Sequence, residues 1–283
     1  MMKLYLIILS CASMCFSTCG FTDIVYTNTA STLSNDPKEL YIDLIKKTVA
    51  NTIYEDAAID SRIGVQGSYS ATLREGGLDW PNIAHTMIGV KRLNNVHACL
   101  KDILENNIPG DLIETGVWRG GTTILMRAIL KAYNDETRHV WVADSFAGLP
   151  PPNRRKYPKD IDLSSFSILA VPLEQVQANF QKYGLLDNQV IFLRGLFKDT
   201  LPSAPIQQLA LLRLDGDMYE STMDALVNLY PKLSVGGYII IDDYWCIEAC
   251  ARAVHDYRAL HNISEPILDI DGMGSYWQKM NDI

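Results

Sequence analysis

The sequence predicts an α/β fold in which a mostly parallel, doubly wound sheet carries helices on both faces. After residue 109, short apolar runs alternate with longer segments of helical periodicity, a pattern typical of strand–helix–strand units. The first of these units has a glycine-rich turn between its strand and its helix, within residues 111–121. The strands are apolar along their length, and a parallel sheet covered on both faces buries such strands completely.

The predicted domain is preceded by a leader, a linker and a helical extension. Residues 1–20 contain one charge, Lys3, and an apolar run, which is typical of a signal peptide or leader. Two alternatives stay open: Cys11 as the lipidated cysteine of a bacterial lipoprotein leader, and a translation start at Met14, which would leave the protein in the cytoplasm. Residues 21–33 are rich in threonine and serine and are predicted to be a linker.

Residues 34–108 are predicted to be the helical extension. Its first helix begins at Asp36 and Pro37, an N-cap acid followed by a proline at the first helical position, and runs to about residue 53. A second helix is predicted over residues 91–106. The polar, glycine-containing segment between them, residues 54–78, is predicted to be a loop, and residues 79–81 a turn.

Residues 109–283 are predicted to form one ligand-binding domain. Residues 146–172, a proline-rich insertion, are too long for a simple connection and are predicted to be a lid or a substrate-binding segment. The predicted strands cover residues 111–115, 139–144, 189–194, 209–214, 238–241, 266–270 and 275–278, and the predicted helices cover residues 122–133, 173–183, 221–233 and 246–261.

Composition excludes several classes of protein. The formal net charge is -8 and no basic stripe is visible, which argues against nucleic acid as the main partner. The chain has no apolar run long enough for an integral membrane span. Only Cys99, Cys246 and Cys250 follow the leader, so no disulfide framework is expected, and this usage suits a reducing compartment, in conflict with the leader.

The glycine-rich turn has the spacing Glu114-x-Gly116-x3-Gly120-Gly121. Glycines let the backbone approach a ligand closely, and the first N–H groups of the following helix can bind its polar atoms. The spacing differs from Gly-x-Gly-x-x-Gly, which disfavours a nicotinamide-dependent oxidoreductase. An acid at the end of the strand suits a ligand that carries an amine or a ribose, such as S-adenosylmethionine (SAM).

Acidic residues also follow the other predicted strands. Asp144 ends the second strand, where it could bind ribose hydroxyls or simply cap a turn. Asp215, Asp242 and Asp243 end two further strands, and the carboxyl ends of parallel strands form the usual ligand site of such a sheet. Each of these aspartates alone could be a turn residue, but together they predict an oxygen-ligated Mg²⁺.

Histidine chemistry is not predicted. His85 lies close in sequence to the expected pocket and could reach it, whereas His255 lies within an apolar helical stripe and is expected to be structural. The chain has no Gly-x-Ser-x-Gly motif, so a nucleophile–histidine mechanism is not expected.

The chain resembles the macrocin O-methyltransferase (TylF/MycF) family. The long motifs Gly-Asp-Leu-Ile-Glu-Thr-Gly-Val-Trp-Arg-Gly-Gly, residues 110–121, and Leu-Asp-Gly-Asp-Met-Tyr-Glu-Ser-Thr, residues 214–222, carry the resemblance most specifically. Shorter matching stretches are spread over residues 39–56, 140–152, 197–202 and 236–244.

The resemblance implies a Rossmann-like class I methyltransferase fold, SAM as the methyl donor, Mg²⁺ dependence and a small-molecule hydroxyl as acceptor. It places Mg²⁺ on Asp215, Asp242 and Asp243, and it suggests that Asp215, or a carboxylate beside it, accepts the hydroxyl proton as the catalytic residue. It also implies a set of residues that contact SAM: Thr86, Met87, Glu114, Thr115, Gly116, Val117, Trp118, Arg119, Asp144, Ser145, Gly148, Phe197 and Lys198.

Several alternatives stay open for the sequence alone. The fold could belong to a non-catalytic protein that keeps a nucleoside pocket, and loss of Mg²⁺ affinity with retained SAM binding would favour that class. The acceptor could be a sugar, a polyol or a catechol-like hydroxyl. The N-terminal helices could dock on a second copy to form a homo-oligomer. Export would conflict with a donor that is made in the cytoplasm.

Overall fold

The computed structural model describes residues 35–61, 67–158 and 160–282, which belong to one compact unit. The predicted leader, residues 1–20, and linker, residues 21–33, lie outside these ranges. Within the ranges, every helix is too short or too polar to cross a lipid bilayer.

The helices and strands alternate along the chain. In chain order they are α1 (Pro37–Val49), β1 (Ala58–Ser61), α2 (Ala71–Gly76), β2 (Asp79–Pro81), α3 (Gly89–Glu105), β3 (Asp111–Thr115), α4 (Gly121–Ala132), β4 (Val140–Asp144), α5 (Leu173–Lys182), β5 (Val190–Arg194), α6 (Phe197–Thr200), β6 (Leu209–Leu214), α7 (Tyr219–Leu229), β7 (Leu233–Ile241), α8 (Glu248–His261), β8 (Leu268–Asp269) and β9 (Ser275–Gln278).

The main sheet has seven strands in the order β5-β4-β3-β6-β7-β9-β8, which confirms the predicted α/β fold. The pairings from β5 to β7 are parallel, and β9 runs antiparallel to both β7 and β8. The chain moves outward from β3 to β5 and then returns to add β6 on the other side of β3. This reversal is the topological switch point at which open α/β sheets bind ligands.

Two hydrophobic clusters cover the two faces of the sheet. Leu112 belongs to the cluster that contains residues of α1, α3, α4 and α5, whereas its neighbour Ile113 belongs to the cluster that contains residues of α7 and α8. Successive strand residues point to opposite faces, so β3 contributes to both clusters and is buried on both sides. Ile42 of α1 and Leu93 of α3 lie in the first cluster, so the helical extension packs on the sheet domain.

The prediction of a loop over residues 54–78 and a turn at residues 79–81 was wrong in part. Strands β1 and β2 pair antiparallel, and α2 lies between them. Ser70 caps α2 by accepting a hydrogen bond from the Leu73 N–H, and Gly77 ends it in the left-handed conformation. These elements are too short for periodicity to reveal them.

Two boundaries near the end of the sheet also differ from the prediction. Helix α7 ends at Leu229 rather than at residue 233, and β7 begins at Leu233 rather than at residue 238. The register between β6 and β7 shifts before Tyr238, and Gly236, at a φ of 86°, lies in this irregular part of the strand. Glycines within a strand mark such irregularities, and here they hid the true start of the strand.

Candidate active site

A cavity of ≈ 290 Å³ opens at the carboxyl ends of β3, β4, β6 and β7. It lies at the switch point of the sheet, where β3 and β6 are neighbours. The walls come from the β3–α4 turn, the β4 end, the first turns of α6 and α7, the β7 end and the helical extension. Acids at the ends of four strands therefore meet around one cavity.

The glycine-rich turn after β3 forms one wall. Gly116 has a φ of 85°, and a Cβ on it would lie 1.7 Å from the backbone oxygen of Asp215. Only glycine permits this contact between the β3 turn and the β6 turn. Trp118, in the same turn, has a φ of 48°, a conformation that residues with side chains seldom adopt.

Glu114 is buried at the end of β3, and the two oxygens of its carboxylate differ. Oε1 accepts a hydrogen bond from Arg213 Nη1 at 2.5 Å. Oε2 is buried and has no partner of good hydrogen-bond geometry among the described residues, although the Thr122 side chain lies close enough to the carboxylate to oppose the rise of its pKa. Burial raises the pKa of Glu114 to about 7, although the charge of Arg213 opposes the shift. A buried oxygen without such a partner, in a group that lines the cavity, suits a ligand that donates a hydrogen bond.

Asp144 caps two turns at the end of β4. Its Oδ2 accepts a hydrogen bond from the Val117 N–H at 2.8 Å, and its Oδ1 accepts one from the Phe146 N–H at 2.7 Å. Burial nevertheless raises its pKa. Asp144 therefore takes the capping role that the sequence left open, and the same carboxylate lines the cavity, where a hydroxyl-bearing ligand can reach it.

Asp215, Asp242 and Asp243 form a cluster in which one carboxylate oxygen from each lies within 4.8 Å of the others. Burial and the charge of Asp242 raise the pKa of Asp215 well above its usual value. Burial and the charges of Asp217 and Asp242 do the same for the pKa of Asp243. Asp243 Oδ2 is buried and receives no hydrogen bond from the described residues. These carboxylates fit a divalent cation, whose charge would offset their repulsion and whose preferred ligands are oxygens.

Two buried arginines neutralise part of this acidic cluster. Arg213 donates hydrogen bonds to Asp215 Oδ2 at 3.0 Å and to Asp242 Oδ1. Arg92, from α3, donates to Asp242 Oδ2 at 2.5 Å and to Asp271 Oδ2 at 3.0 Å. Both oxygens of Asp242 thus already contact a guanidinium, so a cation bound there would share this carboxylate with the two arginines.

The structure brings most of the predicted site residues to the walls of one cavity. Thr115 and Arg119 are the exceptions: Thr115 is buried within the sheet, and Arg119 lies against a second cavity of ≈ 450 Å³. The predicted residues that line the first cavity are Thr86, Met87, Glu114, Gly116, Val117, Trp118, Asp144, Ser145, Gly148, Phe197, Lys198, Asp215, Asp242 and Asp243.

His85 lines the second cavity rather than the first, so the expectation that it could reach the pocket was wrong. Its Nδ1 lies 2.8 Å from the Tyr183 hydroxyl. Burial, with Lys182 and Arg119 nearby, lowers its pKa to about 4, so the ring is neutral at pH 7. His255 bonds to the hydroxyl of Tyr244, as suits a structural residue.

Several cavity residues were not predicted as site residues, although Asp217 and Glu220 lie within the 214–222 motif. Trp80 and Arg92 come from the helical extension, and Asp217, Glu220 and Asp224 come from the β6–α7 region. Arg213 was missed as well, although one signal could have revealed it: it is the only charged residue of the run Leu-Ala-Leu-Leu-Arg-Leu, a strand buried at every position. A charge in such a strand needs buried partners.

The sheet order and the cavity at its switch point define a class I methyltransferase fold. The solved structure of the calicheamicin methyltransferase CalS11 shares this fold, with a TM-score of 0.56 and 19% identity, covering 87% of this chain and 94% of that one. The O-methyltransferase NovP is much more similar, with a TM-score of 0.82 and 52% identity, covering 86% of this chain and 100% of that one.

Sequence comparison also places the chain among methyltransferases. The profile of the macrocin-O-methyltransferase (TylF) family matches residues 38–279. An 8-demethyl-8-(2,3-dimethoxy-alpha-L-rhamnosyl)-tetracenomycin-C 4'-O-methyltransferase of Streptomyces olivaceus is 54% identical over 249 residues, which are 87% of this chain and 95% of that one. A mycinamicin III 3''-O-methyltransferase of Micromonospora griseorubida is 51% identical over 246 residues, 85% of this chain and 96% of that one.

The chain belongs to the macrocin O-methyltransferase family. This confirms the resemblance drawn from the motifs, and it makes the protein an O-methyltransferase that acts on a hydroxyl of a small molecule. The non-catalytic alternative is correspondingly disfavoured.

Proposed function

We propose that this O-methyltransferase takes the methyl group of SAM, depends on Mg²⁺, and methylates a sugar-type hydroxyl of a natural product. The observation that carries the proposal is that one cavity is lined both by Glu114 with the glycine-rich turn and by the Asp215, Asp242 and Asp243 cluster. A donor site and a cation site in the same cavity are what a metal-assisted transfer between two bound molecules requires.

The wall formed by the β3–α4 turn and the β4 end is the proposed donor site. Glu114 Oε2 is available to an amine or hydroxyl of the donor, and Asp144 is placed for a ribose hydroxyl while it caps the turn. Thr86, Met87, Ser145, Gly148, Phe197 and Lys198 line the same cavity and complete the proposed site. SAM supplies a methyl group on a positively charged sulfur, and the acidic wall favours that charge.

Thr115 and Arg119 contribute to the donor site indirectly in this proposal. Thr115 lies within β3, directly after Glu114, so it belongs to the strand that places the carboxylate. The guanidinium of Arg119 stacks on the Trp118 ring at 4.0 Å from its centroid and donates hydrogen bonds to the Pro81 and Ala84 carbonyls. It thereby holds the glycine-rich turn against the helical extension.

Asp215, Asp242 and Asp243 would hold Mg²⁺, and Asp215 or the neighbouring Asp217 would take the proton of the acceptor hydroxyl. When bound, Mg²⁺ supplies charge that lowers the pKa of an acceptor hydroxyl. Asp217 lines the cavity beside Asp243, so it is within the same acidic wall. The residues of this wall orient the acceptor oxygen towards the donor site.

The remaining walls are proposed to bind the acceptor. Trp80, Leu163 and Leu169 give the cavity an apolar side, and Asn153, Glu220 and Asp224 give it a polar one. Trp80 packs edge-on against Phe166 of the insertion, with ring centroids 5.7 Å apart. An apolar side and a hydroxyl-binding side together suit a glycosylated natural product, the kind of molecule that the name of the rhamnosyl-tetracenomycin relative describes.

The experiment is a transfer assay with labelled SAM and a panel of glycosides and plain polyols, in EDTA and after Mg²⁺ is restored. We expect transfer to glycosides, loss of transfer in EDTA and recovery with Mg²⁺. Asp215→Asn should reduce the rate at least about 100-fold, the scale expected for loss of proton transfer. Glu136→Gln removes an equal charge from an exposed position outside the cavity and should leave the rate unchanged. Full activity in EDTA would contradict the proposed dependence on Mg²⁺, and transfer to polyols alone would contradict a glycoside as the acceptor.

A further inference from the structure

Arg213 is a buried charge at the centre of the sheet. It belongs to β6, the strand at the switch point, and it is 0% exposed. In the sheet register it lies between Glu114 of β3 and Ile240 of β7. Removing a guanidinium from water is costly, and apolar side chains of similar size often replace buried ion pairs without loss of stability. A role beyond stability would explain why an arginine occupies this position.

The contacts of Arg213 join the two halves of the proposed site. Its Nη1 donates to Glu114 Oε1 at 2.5 Å, on the donor side, and to Asp215 Oδ2 at 3.0 Å, on the cation side. Its Nη2 donates to Asp242 Oδ1. One planar, rigid guanidinium therefore contacts carboxylates at the carboxyl ends of three neighbouring strands, β3, β6 and β7.

We propose that Arg213 is a positioning residue that couples donor binding to Mg²⁺ binding. This rests on the proposed function, in which Glu114 meets the donor and the aspartates hold Mg²⁺. Nη1 is shared between Glu114 and Asp215. Asp215 and Asp242 would hold Mg²⁺ through their carboxylate oxygens, so Asp215 would compete less for Nη1. The hydrogen bond from Nη1 to Glu114 Oε1 would then strengthen and would hold the Glu114 carboxylate in place for the donor. Each ligand therefore makes the site more favourable for the other.

The arrangement of Arg92 gives a natural comparison. Arg92 is also buried and also bonds to Asp242, but its other carboxylate partner is Asp271, in the turn between β8 and β9. No hydrogen bond among the described residues links Arg92 to Glu114. Both arginines thus bond to Asp242, one of the proposed Mg²⁺ ligands, but of the two only Arg213 also bonds to Glu114 in the proposed donor site.

The test is calorimetric titration of the full chain with S-adenosylhomocysteine, in EDTA and in saturating Mg²⁺. S-adenosylhomocysteine, the product that SAM leaves after methyl transfer, lacks the charge of the sulfonium, so direct repulsion by Mg²⁺ contributes little to the measured difference. We expect the Kd for S-adenosylhomocysteine to fall at least about fivefold in Mg²⁺, the lower end of typical couplings between sites. The Kd for Mg²⁺ should fall by the same factor when S-adenosylhomocysteine is present, because such coupling is reciprocal.

Arg213→Lys keeps the charge but loses the planar fork, and Arg213→Met removes the charge as well. In both variants, the Kd for S-adenosylhomocysteine in EDTA divided by its Kd in saturating Mg²⁺ should be close to one; this quotient is the ratio used below. Arg92→Lys should weaken Mg²⁺ binding and keep the ratio. If Arg213→Met fails to fold, the lysine variant and the reciprocal titrations of the wild type carry the test.

The outcomes separate the two proposals. If the wild type binds both ligands with a ratio of one, the coupling is overturned and the proposed function stands. The same conclusion follows if Arg213→Lys keeps the ratio of the wild type. A wild type that binds neither ligand overturns the proposed function, and the coupling with it.

Discussion

The indole N–H of Trp118 donates a hydrogen bond to the backbone oxygen of Ile168 at 2.8 Å. Trp118 belongs to the glycine-rich turn of the proposed donor site, and Ile168 belongs to the 146–172 insertion that also lines the cavity. This bond ties the two walls together. It also gives a reason for the positive φ of Trp118, because strained backbone persists where the surrounding contacts hold it.

Trp118→Phe keeps an aromatic ring and removes the N–H, so we expect the insertion to loosen locally. Loss of one hydrogen bond, about 1 kcal/mol, corresponds to roughly fivefold faster exchange of the amides in residues 163–170. Hydrogen exchange with mass detection measures this. Trp141→Phe is the control, because it removes an indole bond to Asp111 at the opposite end of the sheet. Equal exchange in both variants would contradict the link.

His85 should make stability depend on pH. Its pKa in the folded protein is about 4, below the usual 6.5, so the unfolded chain binds more protons between these values. The contribution of His85 to the free energy of unfolding should therefore be fully present above pH 6.5, and it should be lost as the pH drops towards 4. This loss of stability has an upper limit of about 3 kcal/mol, and the actual loss is smaller because solvent screens the partly exposed ring.

Urea unfolding of the wild type and of His85→Asn at pH 7 and pH 5 isolates this contribution from the acidic groups that titrate in the same range. The variant should lose less stability than the wild type. Tyr183→Phe removes the hydroxyl partner and keeps the imidazole, so it should still lose stability in acid. A variant and a wild type with identical pH dependence would show that the histidine is not the source.

Arg74 should be essential for folding of the helical extension. Its guanidinium pairs with Asp56 and Asp79, each at 2.8 Å, and bonds to the Ala50 and Asp56 carbonyls, and all three charged side chains are buried. Arg74→Met leaves two buried carboxylates without their cation, so we expect a loss of about 3–5 kcal/mol in the free energy of unfolding.

The control for Arg74 is Arg252→Met, which removes an ion pair with Asp256 in which both side chains are exposed. Exposed pairs contribute less than about 1 kcal/mol, so this variant should be close to the wild type in urea. A loss at Arg74 as small as that at Arg252 would mean that the buried network does not stabilise the extension.

Gly116 should not tolerate a side chain. Gly116→Ala places a Cβ 1.7 Å from the backbone oxygen of Asp215, so the β3 and β6 turns must separate. We expect a loss of S-adenosylhomocysteine and Mg²⁺ binding, measured by calorimetry. Gly184→Ala is the control: its φ is also positive, at 65°, but no atom of the described part of the chain lies within 4 Å of the new Cβ. That variant should lose only about 1 kcal/mol of stability from backbone strain and keep both ligands. Tight binding by Gly116→Ala would show that the two turns can separate without cost to the site.

The sequence alone determined the alternation of strands and helices, the glycine-rich turn after β3 and the acids at the strand ends. These features depend on local rules: apolar periodicity marks buried elements, and in a parallel sheet the carboxyl ends of the strands share one edge. Local rules therefore suffice to predict that Glu114, Asp144, Asp215 and Asp242 surround one site. The family resemblance extended this to residues such as Thr86 and Lys198, whose positions no local rule predicts.

The tertiary structure alone decided which side chains meet. Trp80 and Arg92 reach the cavity because the helical extension packs on the sheet, and His85 turns to a second cavity because Tyr183 holds it there. Arg213 bonds to Glu114 and Asp242, which are 99 and 29 positions away from it in the sequence. Long-range partners of buried charges are set by packing across the whole sheet, and no local pattern encodes them.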